Sequence, residues 1–356
     1  MKAIYNFSAG PAMLDPGVMC QIQSELLDYQ GSGMSIMEMS HRSALFEAVV
    51  NDAKTNIREL MQIPENYEIL FLQGGASLQF SMIPMNLMHT HRRAAYLNSG
   101  VWSQKAIDEA KRHGEVIIVG DNAQTNHKSL PICEVLPSSL DYVYFVSNNT
   151  IYGTQFKEIP MEHSVLIADM SSDILSKPID VSKYALIFAG AQKNLGIAGV
   201  TLVIIRKDLI HENLAVDTML QYATHLKANS LYNTPASFSL YVLKKVTDWL
   251  LETGLDTITV RNEQKAEMLY AAIDRSSLFV NDIKKEDRSL MNVVFTSNDP
   301  KTDEAFVAFA KTFNCVNIKG YRSVGGMRAS LYNAMPKEGV VRLIEAMEAF
   351  ERQVKS

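Results

Sequence analysis

Seven short apolar runs, separated by amphipathic stretches, lie between residues 68 and 205 of this 356-residue chain. The runs are Glu68–Leu72, Ala94–Leu97, Glu115–Val119, Tyr142–Ser147, Val165–Ala168, Leu186–Ala189 and Thr201–Ile205. Several of the stretches between them, Ser77–His89 and Val101–His113 among them, have helical character. Buried strands alternating with helices predict a mostly parallel sheet covered on both faces, an α/β fold with seven strands. Such sheets hold their ligands beyond the carboxyl ends of the strands. Thr234-Pro235 then opens a long helical pattern through Leu251, with threonine as cap and proline in the first turn. Gly254 ends it, and a further helix runs to about Ile273. A smaller α+β unit follows: a strand near Met291–Phe295, a helix near Asp303–Phe313, a strand near Met327–Tyr332 and a last helix after Pro336. The expected division is a large domain over 17–258 and a small one over 259–356, joined by the N-terminal segment 1–16.

Composition narrows the function. A net charge of −5 gives no general attraction to nucleic acid or to membrane surfaces. No apolar run is long enough to span a bilayer, and the N-terminus lacks an extended apolar signal region. Cys20, Cys133 and Cys315 are few, odd in number and far apart, which fits a reducing cytoplasm and neither a disulfide framework nor a cysteine-built metal site. His89 and His91 belong to no HExxH pattern, so no metal is expected.

The chemistry gathers at strand ends. Lys193 follows the apolar run 185–188 and the small residues 189–191; a lysine in so confined a place can lose its proton and form a Schiff base with an aldehyde. Asp169 ends the run 165–168, and a carboxylate there can keep a pyridine nitrogen protonated. A lysine for the aldehyde and an acid for the ring are what pyridoxal phosphate requires. Gly74-Gly75-Ala76-Ser77 joins a strand to a helix and offers backbone N–H groups and a hydroxyl to a phosphate. It is neither a GxGxxG fingerprint nor a GxxxxGK[ST] loop, which disfavours dinucleotides and nucleoside triphosphates. Trp102, near a helix start, could stack on an aromatic ring. Arg42, Arg322 and Arg328 lie in glycine-flanked contexts suited to binding carboxylate or phosphate. Each feature also has an ordinary structural reading: a plain Gly-Gly turn, a core tryptophan, a helix-capping aspartate, a loop lysine, solvated arginines.

The ordered set Asn6–Ala12, Glu38–Ser43, Gln192–Gly196, Asn233–Pro235 and Gly325–Ala334 resembles the phosphoserine aminotransferase family of class-V, fold-type I pyridoxal phosphate enzymes. The resemblance implies a cytoplasmic homodimer that interconverts 3-phosphohydroxypyruvate plus L-glutamate with O-phospho-L-serine plus 2-oxoglutarate, in serine biosynthesis. Bacterial members often also serve pyridoxine biosynthesis through a phosphorylated 4-hydroxythreonine. By the same resemblance Lys193 would hold the cofactor aldehyde, Asp169 would pair with the ring nitrogen, Trp102 would stack on the ring and Thr150 would bond its hydroxyl region. Ala76, Ser77 and Gln192 would hold the cofactor phosphate, with Asn233 and Thr234 reaching it from the other subunit. Arg328 would take the substrate α-carboxylate; His41, Arg42 and Arg322 would take the distal phosphate or carboxylate, partly across the dimer interface.

Three positions depart from the family pattern. Tyr321 stands where many members have histidine, Ile197 where proline is usual, and residues 75–77 lack an arginine that some members carry. Two rival readings stay open. One is a different enzyme of the same architecture, such as another small-amino-acid aminotransferase or a cysteine desulfurase, though the latter needs a mobile nucleophilic cysteine and none of the three lies in a lid-like segment. A binding protein without turnover would have no use for Lys193, Asp169 and the arginines together.

Overall fold

The computed structural model describes residues 4–133 and 135–355. A short strand β1 (Tyr5–Asn6) leads to helix α1 (Pro16–Glu25) and then to α2 (Ala44–Leu60). The central strands are β2 (Tyr67–Leu72), β3 (Arg93–Asn98), β4 (Glu115–Asp121) and β5 (Tyr142–Val146), with α3 (Gly75–Leu87) after β2 and α4 (Val101–Ala110) after β3. A two-stranded hairpin of β6 (Asn148–Asn149) and β7 (Thr154–Gln155) follows, then β8 (Leu166–Asp169), β9 (Leu186–Gly190) and β10 (Thr201–Arg206). The seven-stranded sheet has the order β2-β10-β9-β8-β5-β3-β4. Its β3, β4, β5, β8 and β9 ladders are parallel, and β10 alone runs antiparallel to both its neighbours. This is the mostly parallel sheet expected from the apolar runs, and each observed strand lies within two residues of its predicted limits.

Both faces of the sheet are buried, as its near-continuous apolar strands require. On one face Phe71, Val143 and Phe145 pack with α2 and with α6 (Ser237–Thr253). On the other Leu70, Tyr96, Tyr144 and Phe188 pack with α3, α4 and the short α5 (Tyr222–Lys227). Helix α6 begins later than the Thr234-Pro235 pair predicts. Its N-cap is Ala236 and no side chain caps it, so Thr234 stands outside the helix. Thr234 O instead accepts from Asn233 and Gln73 in a loop against the start of α3.

A third core joins Phe7, Leu269, Phe279, Phe306, Leu343 and Phe350. It is built on α7 (Leu255–Arg275), β11 (Asn292–Phe295), α8 (Pro300–Ala310), β12 (Cys315–Val316), β13 (Met327–Ser330) and α9 (Lys337–Lys355). Strand β1 pairs with β12, which ties the N-terminal segment to this unit. Helix α7 spans the seam: Ile258 packs in the sheet core, and Ala266, Leu269 and Ile273 pack in the third.

Candidate active site

The sheet brings the ends of β2, β5, β8 and β9 to one edge, and each end carries a side chain or a turn of the site. After β2, Gly74 and Gly75 take φ values of +89° and +66°, left-handed backbone that glycine adopts without strain. A Cβ on Gly74 would also lie 2.6 Å from Leu78 Cδ2. This double turn starts α3 with no side-chain cap, so its first N–H groups, including those of Ala76 and Ser77, remain open to an anion. After β5, Thr150 is buried, and its hydroxyl accepts from the Trp102 indole at 3.0 Å. That bond fixes the plane of the Trp102 ring. Asp169 ends β8 and is only 5% exposed; its Oδ1 accepts from Ser171 N at 2.9 Å. No helix directly follows β8, so Asp169 is not the helix cap that one reading expected; its Oδ1 orders a turn instead. Burial pushes its carboxyl up, against the Ser171 hydrogen bonds and the nearby Lys193, which pull it down. After β9, burial lowers the Lys193 ammonium to about 8, opposed by the charges of Asp169 and Asp173 and aided by Arg328.

These groups line one cavity of about 320 Å³. Ala76, Ser77, Trp102, Thr150, Asp169, Gln192, Lys193 and Arg328 all face it. Arg328 lies on β13 of the smaller unit and donates through Nη1 to Thr150 O at 3.1 Å. Its Nε is buried with no partner among the described residues. Ile151, Tyr321 and Arg328 also border a larger cavity of about 600 Å³ between the sheet domain and the smaller unit, so the two spaces are lobes of one cleft.

The remaining predicted residues lie elsewhere. Asn233 donates to Gln73 Oε1 at 3.1 Å, immediately before the Gly-Gly turn but outside the 320 Å³ cavity. Arg42 and Arg322 are exposed and line neither lobe. His41 is half-buried, and its Nε2 has no hydrogen-bond partner among the described residues. Two contributors were not among the expected site residues, although Ala9 and Gly10 lie in the Asn6–Ala12 run that carries the resemblance. Ala9 and Gly10 close the cavity from the N-terminal segment, which the bond from Ala12 N to Gln192 O pins to the lysine loop. Ser171 hydrogen-bonds Asp169, and its Oγ accepts from Gly190 N at 3.1 Å, which links the acid strand to the lysine strand.

The lining fits a flat heteroaromatic ring bearing one phosphate. A buried acid has no bonded cation among the described residues, a tethered indole bounds the space, uncapped helix N–H groups open toward it, and a lysine lowered to about 8 lines it. Fold and site together define a fold-type I enzyme that depends on pyridoxal phosphate. Residues 4–343 match the model of the aminotransferase class-V family. A phosphoserine aminotransferase of Bacillus cereus is 51% identical over 356 residues, covering 99% of each chain. The structure of the phosphoserine aminotransferase from Bacillus circulans subsp. alkalophilus superposes with a TM-score of 0.97 at 44% identity, covering 99% of this chain and 100% of that one. A pyridoxal phosphate-bound phosphoserine aminotransferase from Trichomonas vaginalis gives a TM-score of 0.93 at 40% identity, covering 97% and 100%. The chain belongs to the class-V aminotransferases and, within them, to the phosphoserine aminotransferases.

Proposed function

We propose that this chain transfers an amino group reversibly between L-glutamate and 3-phosphohydroxypyruvate, giving 2-oxoglutarate and O-phospho-L-serine. The observation that carries the reading is the convergence of Lys193, Asp169 and Arg328 on one cavity. Pyridoxal phosphate supplies an aldehyde that takes up the substrate nitrogen and a ring that accepts the electron pair released at Cα. The protein supplies the rest. The N–H groups of Ala76 and Ser77, with Gln192, hold the phosphate, and Asn233 and Thr234 reach it from a second subunit. Trp102 and Thr150 fix the ring plane. Asp169 would hold a proton on the ring nitrogen, which favours the electron-accepting form. Lys193, lowered to about 8, has enough neutral amine at neutral pH to take the proton from the substrate Cα. Arg328 holds the α-carboxylate, and its unpartnered Nε is one donor for it.

Both substrates carry an anionic tail, a carboxylate or a phosphate of about −1.5 to −2 charge. His41, Arg42 and Arg322 receive that tail, with His41 and Arg42 supplied by a partner copy of the chain. Exposed apolar side chains flank that segment: Leu27, Met34, Met37 and Leu45. Tyr232, beside Asn233, is exposed too. A homodimer that covers these side chains would deliver His41 and Arg42 to the neighbouring cleft. We place the enzyme in the cytoplasm, in line with three cysteines that are few and far apart in sequence. The same arginines would accept the precursor of 4-phosphohydroxy-L-threonine, a step in pyridoxine biosynthesis. The test adds glutamate and then 3-phosphohydroxypyruvate to the yellow holoenzyme. Loss of the visible absorbance with the first and its return with the second is expected. An unchanged spectrum with glutamate would overturn the assignment.

A further inference from the structure

The segments that carry Asp169, Lys193 and Arg328 run on into one buried node that the chemistry above does not use. Asn194 adjoins Lys193, residues 174–176 follow Asp169, and Asn333 lies five positions beyond Arg328. Asn333 N donates to Asn194 Oδ1 at 3.0 Å, and Asn333 Nδ2 donates to Leu175 O at 2.8 Å. Asn194 Nδ2 donates to Ile174 O at 2.9 Å. From α7, Asn262 Nδ2 donates to Asn333 Oδ1 at 2.8 Å and to Ser176 O at 3.1 Å. One turn further along α7, the buried Lys265 donates to the carbonyls of Leu331, Tyr332 and Met335 at 2.8–3.0 Å. All three asparagines are at most 6% exposed.

Buried polar bonds of this kind admit one arrangement, since any slip leaves donors and acceptors unpaired in a dry interior. Arg328 needs such a reference. It belongs to the smaller unit, whereas Lys193 and Asp169 belong to the sheet. We infer that Asn194, Asn333 and Asn262 are positioning residues that set the separation of Arg328 from Lys193, and so the grip of the site on the substrate α-carboxylate. The inference rests on the proposed role of Arg328.

Calorimetric titration of the holoenzyme with glutarate, an unreactive dicarboxylate, reads that grip without turnover. Asn333→Ala is expected to weaken glutarate binding about ten-fold while leaving the affinity of the apo-protein for pyridoxal phosphate within about two-fold. Unchanged glutarate affinity in the folded variant would overturn the inference, as would parallel losses of both affinities, which would mark a merely structural prop. Should Asn333→Ala not fold, Asn262→Ala removes one donor and keeps the bond between Asn194 and Asn333. It is expected to weaken glutarate binding about three-fold with the same selectivity, and the same two results would refute it. A wild-type enzyme that binds glutarate yet fails to transaminate would sink the proposed reaction and leave this comparison intact.

Discussion

An ammonium lowered to about 8 is roughly one-tenth neutral at pH 7, where a solvated lysine near 10.4 is almost wholly charged. Capture of pyridoxal phosphate by the apo-protein should therefore accelerate with pH through a midpoint near 8. Stopped-flow absorbance measures it, and a midpoint above 10 would show that burial does not govern this amine. Lys193→Ala should still bind the cofactor without a covalent link, with turnover reduced at least about a thousandfold, since in the proposed mechanism one group serves as anchor and proton carrier. Behind Asp169 sits a second titrating acid. Burial raises Asp173 to about 6. Ser147 Oγ lies 3.0 Å from Asp169 O and also contacts Asp173 Oδ1. Burial of Asp173 outweighs the hydrogen bonds from Ser147 and Gln155, which favour its ionised form. Between about pH 4 and 6 the folded state thus keeps a proton that the unfolded chain has lost. This group's contribution to stability falls as pH rises across that window, by about 2–3 kcal/mol. Asp173→Asn can mimic the protonated form. Urea denaturation at stepped pH should show a flatter profile between pH 4 and 6 for the variant than for the wild type.

At the scale of elements, the turn between β2 and α3 separates two causes that one motif would merge. Gly74→Ala meets both a left-handed φ and a Cβ contact at 2.6 Å with Leu78, whereas Gly75→Ala meets only the φ of +66° in open space. The first should cost about 2–3 kcal/mol and weaken cofactor binding, the second about 1 kcal/mol. Urea denaturation with a cofactor titration checks both. The same contrast shows what a sequence exposes. Lys193 and Asp169 stood out because a charge at the end of an apolar run is chemically odd, and both line the cavity. The direction of β10 was not legible, because a strand buried on both faces reads alike whichever way it runs. Nor was the late start of α6 visible: Thr234-Pro235 has the composition of a helix entry, and the tertiary contact with Gln73 keeps it in a loop. The asparagine node was hidden for another reason. Asn194, Asn262 and Asn333 lie 68 and 71 positions apart in sequence, and nothing in a lone asparagine says where its partners are.

The whole molecule raises the question of which chain completes each site. Lys193 and Arg328 line one cavity of a single chain, whereas His41 and Arg42 lie on a segment flanked by exposed apolar side chains. If a partner copy donates His41 and Arg42, defects in Lys193 and Arg42 placed on opposite subunits must complement. The Lys193→Ala subunit keeps Arg42 and lends it to a neighbour whose Lys193 is intact; the other site carries both defects. A heterodimer purified through two different tags then has one sound site of two, and about half the wild-type activity per dimer. Were Arg42 to act within its own chain, each site would hold one defect and the heterodimer would be as poor as its parents. Arg328→Ala paired with Lys193→Ala gives the opposite expectation. Those two side chains share one chain's cavity, so no arrangement of the mixed dimer reunites them, and activity should remain at the level of the homodimeric variants. Rescue in the first pair and none in the second locates the domain-borne arginine in cis and the loop-borne arginine in trans. A gain in the second pair would instead place the Lys193 and Arg328 of one working site on different subunits.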